Sequence, residues 1–359
     1  MLLLFFILSL ALSGVTLLSR NRGLTRAFAL AFSALLIAIT VHAWINRGNT
    51  ELTWFTYDST AVLLLSVLTL LTLPTVYHGF IYTRDDTVKR LNIYHSGLIA
   101  LMTFMAGAYL ANTMTVLWIF VEATTLAVAV LIYHDRTEMA LEATWKYVFI
   151  CSTGIALAYL GILFLGFIYG RGDAPNLSFS SFSHVISNAN PLYLKIAFIF
   201  VLVGFSTKMG LFPMHTVTID AHSVAPPPVS ALISTTLMNV GFLAIYRVYT
   251  LFSGTPALSF MSSLVILAGV LSLLIAAGYM LKAKHLKRML AYSSLENMGL
   301  VAIALGVGGY GYYAALLLIV LHSLAKSSLF YQMGQLSRIL HTFRLDESGR
   351  YMKLYPAGA

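Results

Sequence analysis

Apolar stretches of about 20 residues follow one another from Met1 onward with only short polar interruptions. A helix needs about 20 mainly apolar residues to cross a bilayer, and in lipid only a helix or a closed barrel satisfies its own backbone. The chain is therefore expected to be an all-α polytopic membrane protein. About eleven transmembrane helices are predicted, near 1–19, 26–46, 59–82, 91–111, 113–133, 143–169, 192–213, 228–252, 257–281, 289–307 and 311–337. Of the 359 residues, 59% are hydrophobic and 10% charged, whereas a soluble domain is about 45–50% apolar. The opening run MLLLFFILSLALSGVTLL has the length of a signal sequence. No basic residue precedes its apolar core, however, and another apolar run follows RNRGLTR at once, so it reads as a retained first helix.

Charge sets an expected orientation. With the N-terminus outside, fifteen Lys and Arg residues fall in cytoplasmic loops and the C-terminal tail, and only Arg47, Arg171, Lys195 and Arg247 fall on the other side. This asymmetry accounts for the net charge of +9 without nucleic acid as a partner. It predicts a cell-membrane protein whose tail, SRILHTFRLDESGRYMKLYPAGA, is cytoplasmic and amphipathic. The longest external linker, RGDAPNLSFSSFSHVISNANP, reads as a surface loop with a short interfacial helix, His184 in it being solvated. Three basic residues remain as candidates for buried charge: Lys146, Lys208 and Lys326.

A charge inside the hydrocarbon costs roughly 2.5 to 3.5 kcal/mol on insertion scales and marks ion pathways. Lys208 follows IAFIFVLVGF, and Pro213 then breaks that seventh helix, which is tolerated at membrane depth only where protein or a wet cavity covers the freed backbone. Glu122 lies midway along LWIFVEATTLAVAVLIY. Burial disfavours charge on a carboxylate or an amine and a nearby opposite charge restores it, so the proton affinity of such a pair depends on its separation. His322 and Lys326, four apart in ALLLIVLHSLAKSSLFYQMGQL, share a helical face and suit a proton relay. Lys146 in LEATWKYVFI is either a buried charge or a side chain snorkelling to the interface. His215, Asp220 and His222, beyond the break, suit a hydrated cytoplasmic proton inlet better than a metal site. Asn239 either orders water or bonds two helices, and Asp58 reads as an N-cap. The single cysteine, Cys151, excludes a disulfide framework. No phosphate loop, nucleophile elbow or CxxC is present, so the chain is expected to bind no cofactor and no metal and to carry no active site.

At these residues the chain resembles a known family. KMGLFPMHTVTIDAHSVAPPPVSALIS is similar to the central motif of the antiporter-like membrane subunits of respiratory complex I, multisubunit sodium/proton antiporters and membrane-bound hydrogenases. LWIFVEATTL, KHLKRMLAYSSLENMGLVAIALG and LHSLAKSSLFYQMGQL resemble that family's fifth, tenth and eleventh helices, and AYSSLENMG with KMGLFPMHT is closest to the hydrogenase 4 (formate hydrogenlyase) component F type. The resemblance implies an inverted-repeat antiporter-like fold with N-terminal helices in 1–90, a first repeat in 91–252 and a partial second repeat in 253–359. It implies that Glu122 and Lys208 form the charge pair of one half-channel and that His322 with Lys326 leads toward the other. Where relatives carry a lysine, Asn239 stands, implying passage through water there. The family's second broken helix would begin after YMKLYPAGA, so the second repeat is incomplete in this sequence. Either the sequence is a fragment, or a separate chain completes it, or this version lacks a finished second half-channel. Implied partners are other membrane subunits, one of them adjoining or supplying that half-channel, peripheral redox subunits, the lipid bilayer, and protons or sodium ions. The expected role is proton or sodium translocation within a redox-driven respiratory or hydrogenase complex; the alternatives are a sodium/proton antiporter component without redox chemistry and a structural membrane anchor.

Overall fold

The computed structural model describes residues 1–169, 177–186 and 189–347. Arg171, Arg350 and Lys353 lie outside the described residues, as does the side chain of His184. Ten described helices are long and apolar enough to cross a membrane, and a shorter apolar one, Leu2–Leu18, precedes them. Ten of the eleven expected spans are thus met among the described residues, and the first corresponds to the shorter helix. They comprise α1 (Leu2–Leu18), α2 (Arg22–Ile45), α3 (Ser59–Tyr82), α4 (Val88–Leu110), α5 (Met114–Ile132) and α6 (Glu138–Tyr169). After α7 (Phe179–Val185), a short helix in the expected external linker, come α8 (Pro191–Met209), α9 (His215–Val224), α10 (Pro227–Leu232), α11 (Met238–Leu251), α12 (Leu258–Met280), α13 (Leu286–Val307) and α14 (Tyr310–Leu340). The only described strands form a two-stranded hairpin, Thr50–Glu51 with Phe55–Thr56.

Local chemistry fixes where several helices start. Asn21, Asp58, Thr87, Thr113 and Asn190 each stand just before a helix, and each side chain accepts a hydrogen bond from an amide of its first turn. Such a bond satisfies one of the amides that a helix start leaves unpaired. α8 ends as the proline requires: Gly210 adopts the left-handed conformation (φ 78°) as its cap, and α9 resumes at His215 after the cis Phe212–Pro213 bond. The seventh span is thus broken as expected.

α10 and α11 form one span, Pro227–Leu251, the most enclosed of the described spans. The join is a π-helical turn, Ile233–Leu237. A π turn frees carbonyls from the regular ladder, and here the Thr236 carbonyl accepts from the Tyr109 hydroxyl at 2.5 Å. α8, which packs on this span, meets α6 through glycines. A Cβ on Gly204 would lie 2.5 Å from the Gly154 carbonyl and 2.6 Å from the Ala158 Cβ, so the close approach requires glycine there.

Near its last turn, α11 carries Arg247, which charge counting assigns to an external loop. It is instead buried, 7% exposed. Its guanidinium donates to the Ala111 carbonyl, to the Tyr109 carbonyl at 2.9 Å and to Asp58 Oδ2 at 2.5 Å. Asp58 Oδ1 meanwhile accepts from the Ala61 amide at 2.8 Å, bearing out its reading as an N-cap. One carboxylate therefore caps α3 and pairs with α11. Asp58→Ala is expected to destabilise the fold by about 2–3 kcal/mol, the cap contributing about 1 and the partly desolvated ion pair the remainder. A shift no larger than a cap deletion in a detergent unfolding titration would show that Arg247 does not depend on Asp58.

Candidate functional site

Two polar clusters lie inside the bundle. The first joins α5, α6 and α8. Lys208, in the last turn of α8, is 2% exposed, and its Nζ donates to the Tyr147 hydroxyl at 3.3 Å while lying 5.1 Å from the centre of the same ring. Glu122 of α5 is half-buried and accepts from Ser152 Oγ at 2.6 Å and Thr125 Oγ1 at 3.4 Å. Among the described residues no ion pair joins Glu122 directly to Lys208, although the carboxylate lies within electrostatic reach of the ammonium. α6 stands between them, holding the lysine through Tyr147 and the glutamate through Ser152, five residues on. Both are uncharged, and their only sequence signal is a polar atom in an apolar helix.

The second cluster surrounds the π turn. His322 and Lys326 of α14 are buried at 4% and 5% exposure. His322 Nε2 lies 3.0 Å from the Ser234 carbonyl, and Ser234 Oγ lies 2.7 Å from Ser294 Oγ of α13. Asn239 donates to Ser323 Oγ at 3.0 Å, so it bonds two helices, while its Oδ1 has no partner among the described residues. His322 Nδ1, His222 Nε2 and Thr218 Oγ1 are likewise unpartnered. Buried polar atoms are almost always satisfied by protein or ordered water, so a run of such atoms suits a water-filled space. His222 is fully buried, its Nδ1 bonding back to the Thr218 carbonyl, and it lies within electrostatic reach of His322 and Lys326. It therefore belongs to this inner cluster and not to a surface inlet, because α9 turns it inward against Phe330. Glu296 of α13, which charge counting passes over, is half-buried within electrostatic reach of Lys326.

The remaining candidates sit at the rim. Lys146 is not a buried charge: its side chain is 49% exposed, 2.5 Å from Glu142 and 3.9 Å from Asp220. The physical reason is that α6 begins at Glu138, a turn earlier than hydropathy indicates, so that Glu142 stands one turn before Lys146 on the same exposed face. Asp220 is also 3.0 Å from Arg288 of α13, which ties α9 to α6 and α13. His215, 9% exposed, stacks near Phe212 beside the break. Lys287, which opens α13, is buried at 3% exposure and donates to the Ala225 carbonyl at 2.6 Å, anchoring the end of α9. Among the described residues no three His, Cys, Asp or Glu side chains converge as metal ligands would. Cys151 is buried and free.

Residues 111–358 match the family model described as NADH:quinone oxidoreductase/Mrp antiporter, TM. The chain is similar to the Hydrogenase-4 component F homolog of Methylacidiphilum infernorum, with 39% identity over 72% of this chain and 56% of that protein. It is similar to Hydrogenase-4 component B of Escherichia coli, with 26% identity over 83% of this chain and 45% of that protein. To the NAD(P)H-quinone oxidoreductase chain 4 of Gloeobacter violaceus it is 28% identical, over 72% of this chain and 48% of that protein. The chain spans about half the length of the curated relatives it matches. In fold it matches a chain from the membrane-bound sulfane sulfur reductase, an archaeal respiratory membrane complex, with a TM-score of 0.86 at 20% identity, covering 96% of this chain and 73% of that one.

Proposed function

Because the chain belongs to the NADH:quinone oxidoreductase/Mrp antiporter transmembrane family, we propose that it is a proton-translocating membrane subunit of a redox-driven respiratory or hydrogenase complex. The observation that carries this reading is a lysine 2% exposed, placed at the break of a membrane helix and held opposite a carboxylate by hydroxyls of the helix between them. Redox work in partner subunits changes the distance from Glu122 to Lys208, and with it the proton affinity of the lysine. The released proton moves toward His222, His322 and Lys326, through water held at Asn239 and the serines around the π turn. Segments 91–252 and 253–359 are the first and the partial second antiporter-like repeat, and the N-terminus faces outward, which places Asp220, Lys146 and Arg288 on the cytoplasmic rim. Peripheral redox subunits and further membrane subunits are the partners this reading requires.

The test is reconstitution of the copurified assembly into liposomes with a pH-sensitive dye inside. Electron donor is expected to drive an uncoupler-sensitive pH change. A change driven by a sodium gradient without electron donor would support the antiporter reading, to which the family description also extends. Absence of both responses sinks the transport role.

A further inference from the structure

His95 lies on α4 with none of its surface exposed, and neither ring nitrogen has a hydrogen-bond partner among the described residues. An imidazole carries at least one N–H in either protonation state, and an unsatisfied buried polar group costs about 1–3 kcal/mol. Two neighbouring polar atoms are unpartnered as well: the hydroxyl of Tyr94, also 0% exposed, and Nε of Arg26 on α2. Phe80 of α3 links the two sides, its ring centre 5.1 Å from that of His95 and 5.6 Å from the Arg26 guanidinium carbon. Gly79, beside it, lets both rings pack against α3: a Cβ there would lie 3.0 Å from the Tyr94 ring and 3.4 Å from that of His95. Toward the rim, the Tyr94 ring lies 5.1 Å from that of His134, whose Nε2 is 2.9 Å from Asp86 Oδ2; the side chains of that pair are 5% and 21% exposed. Tyr109 gives the contrast, for it is equally buried on the same helix but its hydroxyl is spent on the Thr236 carbonyl.

We propose that Tyr94, His95 and Arg26 hold a bound water inside the N-terminal helices, with the His134–Asp86 pair at its outer end. Buried water typically makes about three hydrogen bonds to polar groups that lack protein partners, and the imidazole, phenol and guanidinium supply them. The site shares no residue with the Glu122–Lys208 pair and does not depend on the translocation reading.

Radiolytic hydroxyl labelling of the full chain in lipid nanodiscs tests the water. Tyr94 is expected to be modified at least about tenfold faster than Tyr109, because labelling of buried side chains follows bound water. Equal rates overturn the proposal. His95→Leu should lower the Tyr94 rate at least about fivefold while His95→Gln, which keeps polar atoms in place, retains it; an unchanged rate in His95→Leu also overturns it. If the leucine variant does not fold, the comparison of Tyr94 with Tyr109 in the unaltered protein decides.

Discussion

Replacing Lys208 with alanine in the assembled complex is expected to reduce ion translocation at least about tenfold while leaving electron transfer partly intact, as happens when a charge in a membrane pathway is removed. Alanine keeps the helix but removes the ammonium, and the Tyr147 hydroxyl, its hydrogen-bond partner among the described residues, loses that donor. The fold itself should tolerate the change, because removing a buried charge also removes its desolvation cost. Assembly is checked by the yield of copurified subunits and translocation by the liposome dye response. Unchanged pumping in Lys208→Ala would falsify the assignment of the lysine, whatever happened to electron flow. Tyr147→Phe refines the test, since it deletes only the hydroxyl: a smaller loss is expected there than in Lys208→Ala.

The largest structural effect is expected at Gly241 of α11. A Cβ at this position would meet backbone and nothing that can turn aside, lying 2.8 Å from the carbonyl carbon of Lys208 and 2.9 Å from the Met209 Cα. Helix propensity favours alanine over glycine by about 0.5–1 kcal/mol, whereas overpacking against fixed neighbours costs about 1–3 kcal/mol and more when backbone has to shift. The second term wins. Gly241→Ala should therefore destabilise the protein by about 2 kcal/mol, and Gly241→Val by about 3 kcal/mol or more, both seen as a lower midpoint in detergent unfolding. Because the displaced backbone is that of Lys208, both variants should also impair translocation. A neutral or stabilising Gly241→Ala would mean that α8 and α11 are not in contact there.

The spans themselves were legible, because a bilayer imposes one length and one polarity on every crossing segment. So were the break at Pro213, the cap at Asp58, and the burial of Lys208, His322 and Lys326, each marked by a residue whose chemistry conflicts with its surroundings. Lys146 was left open between burial and snorkelling for a local reason: once the sixth segment is started at 143, Glu142 drops into a loop and the pair four residues apart, which holds the lysine at the surface, goes unseen. Arg247 was misread for a non-local one. Its burial is compensated by carbonyls at the end of α4 and by a carboxylate at the start of α3, neither of which leaves a trace in the arginine's own segment. Tyr147, Ser152 and the serines of the inner cluster carry no charge, so hydropathy passes over them, and only their position on facing helices gives them a role.

The π-helical turn at Ile233–Leu237 has a geometric consequence for everything after it. Such a turn holds one residue more than a regular turn, so the segment that follows is indexed about 100° away from where an unbroken α-helix would point it. Asn239, Gly241 and Arg247 all lie in that segment. The amide that reaches Ser323, the glycine that lets α8 approach and the guanidinium that clamps α3 and α4 thus owe their bearings to a single inserted residue, and they would swing off target together if the insertion were removed.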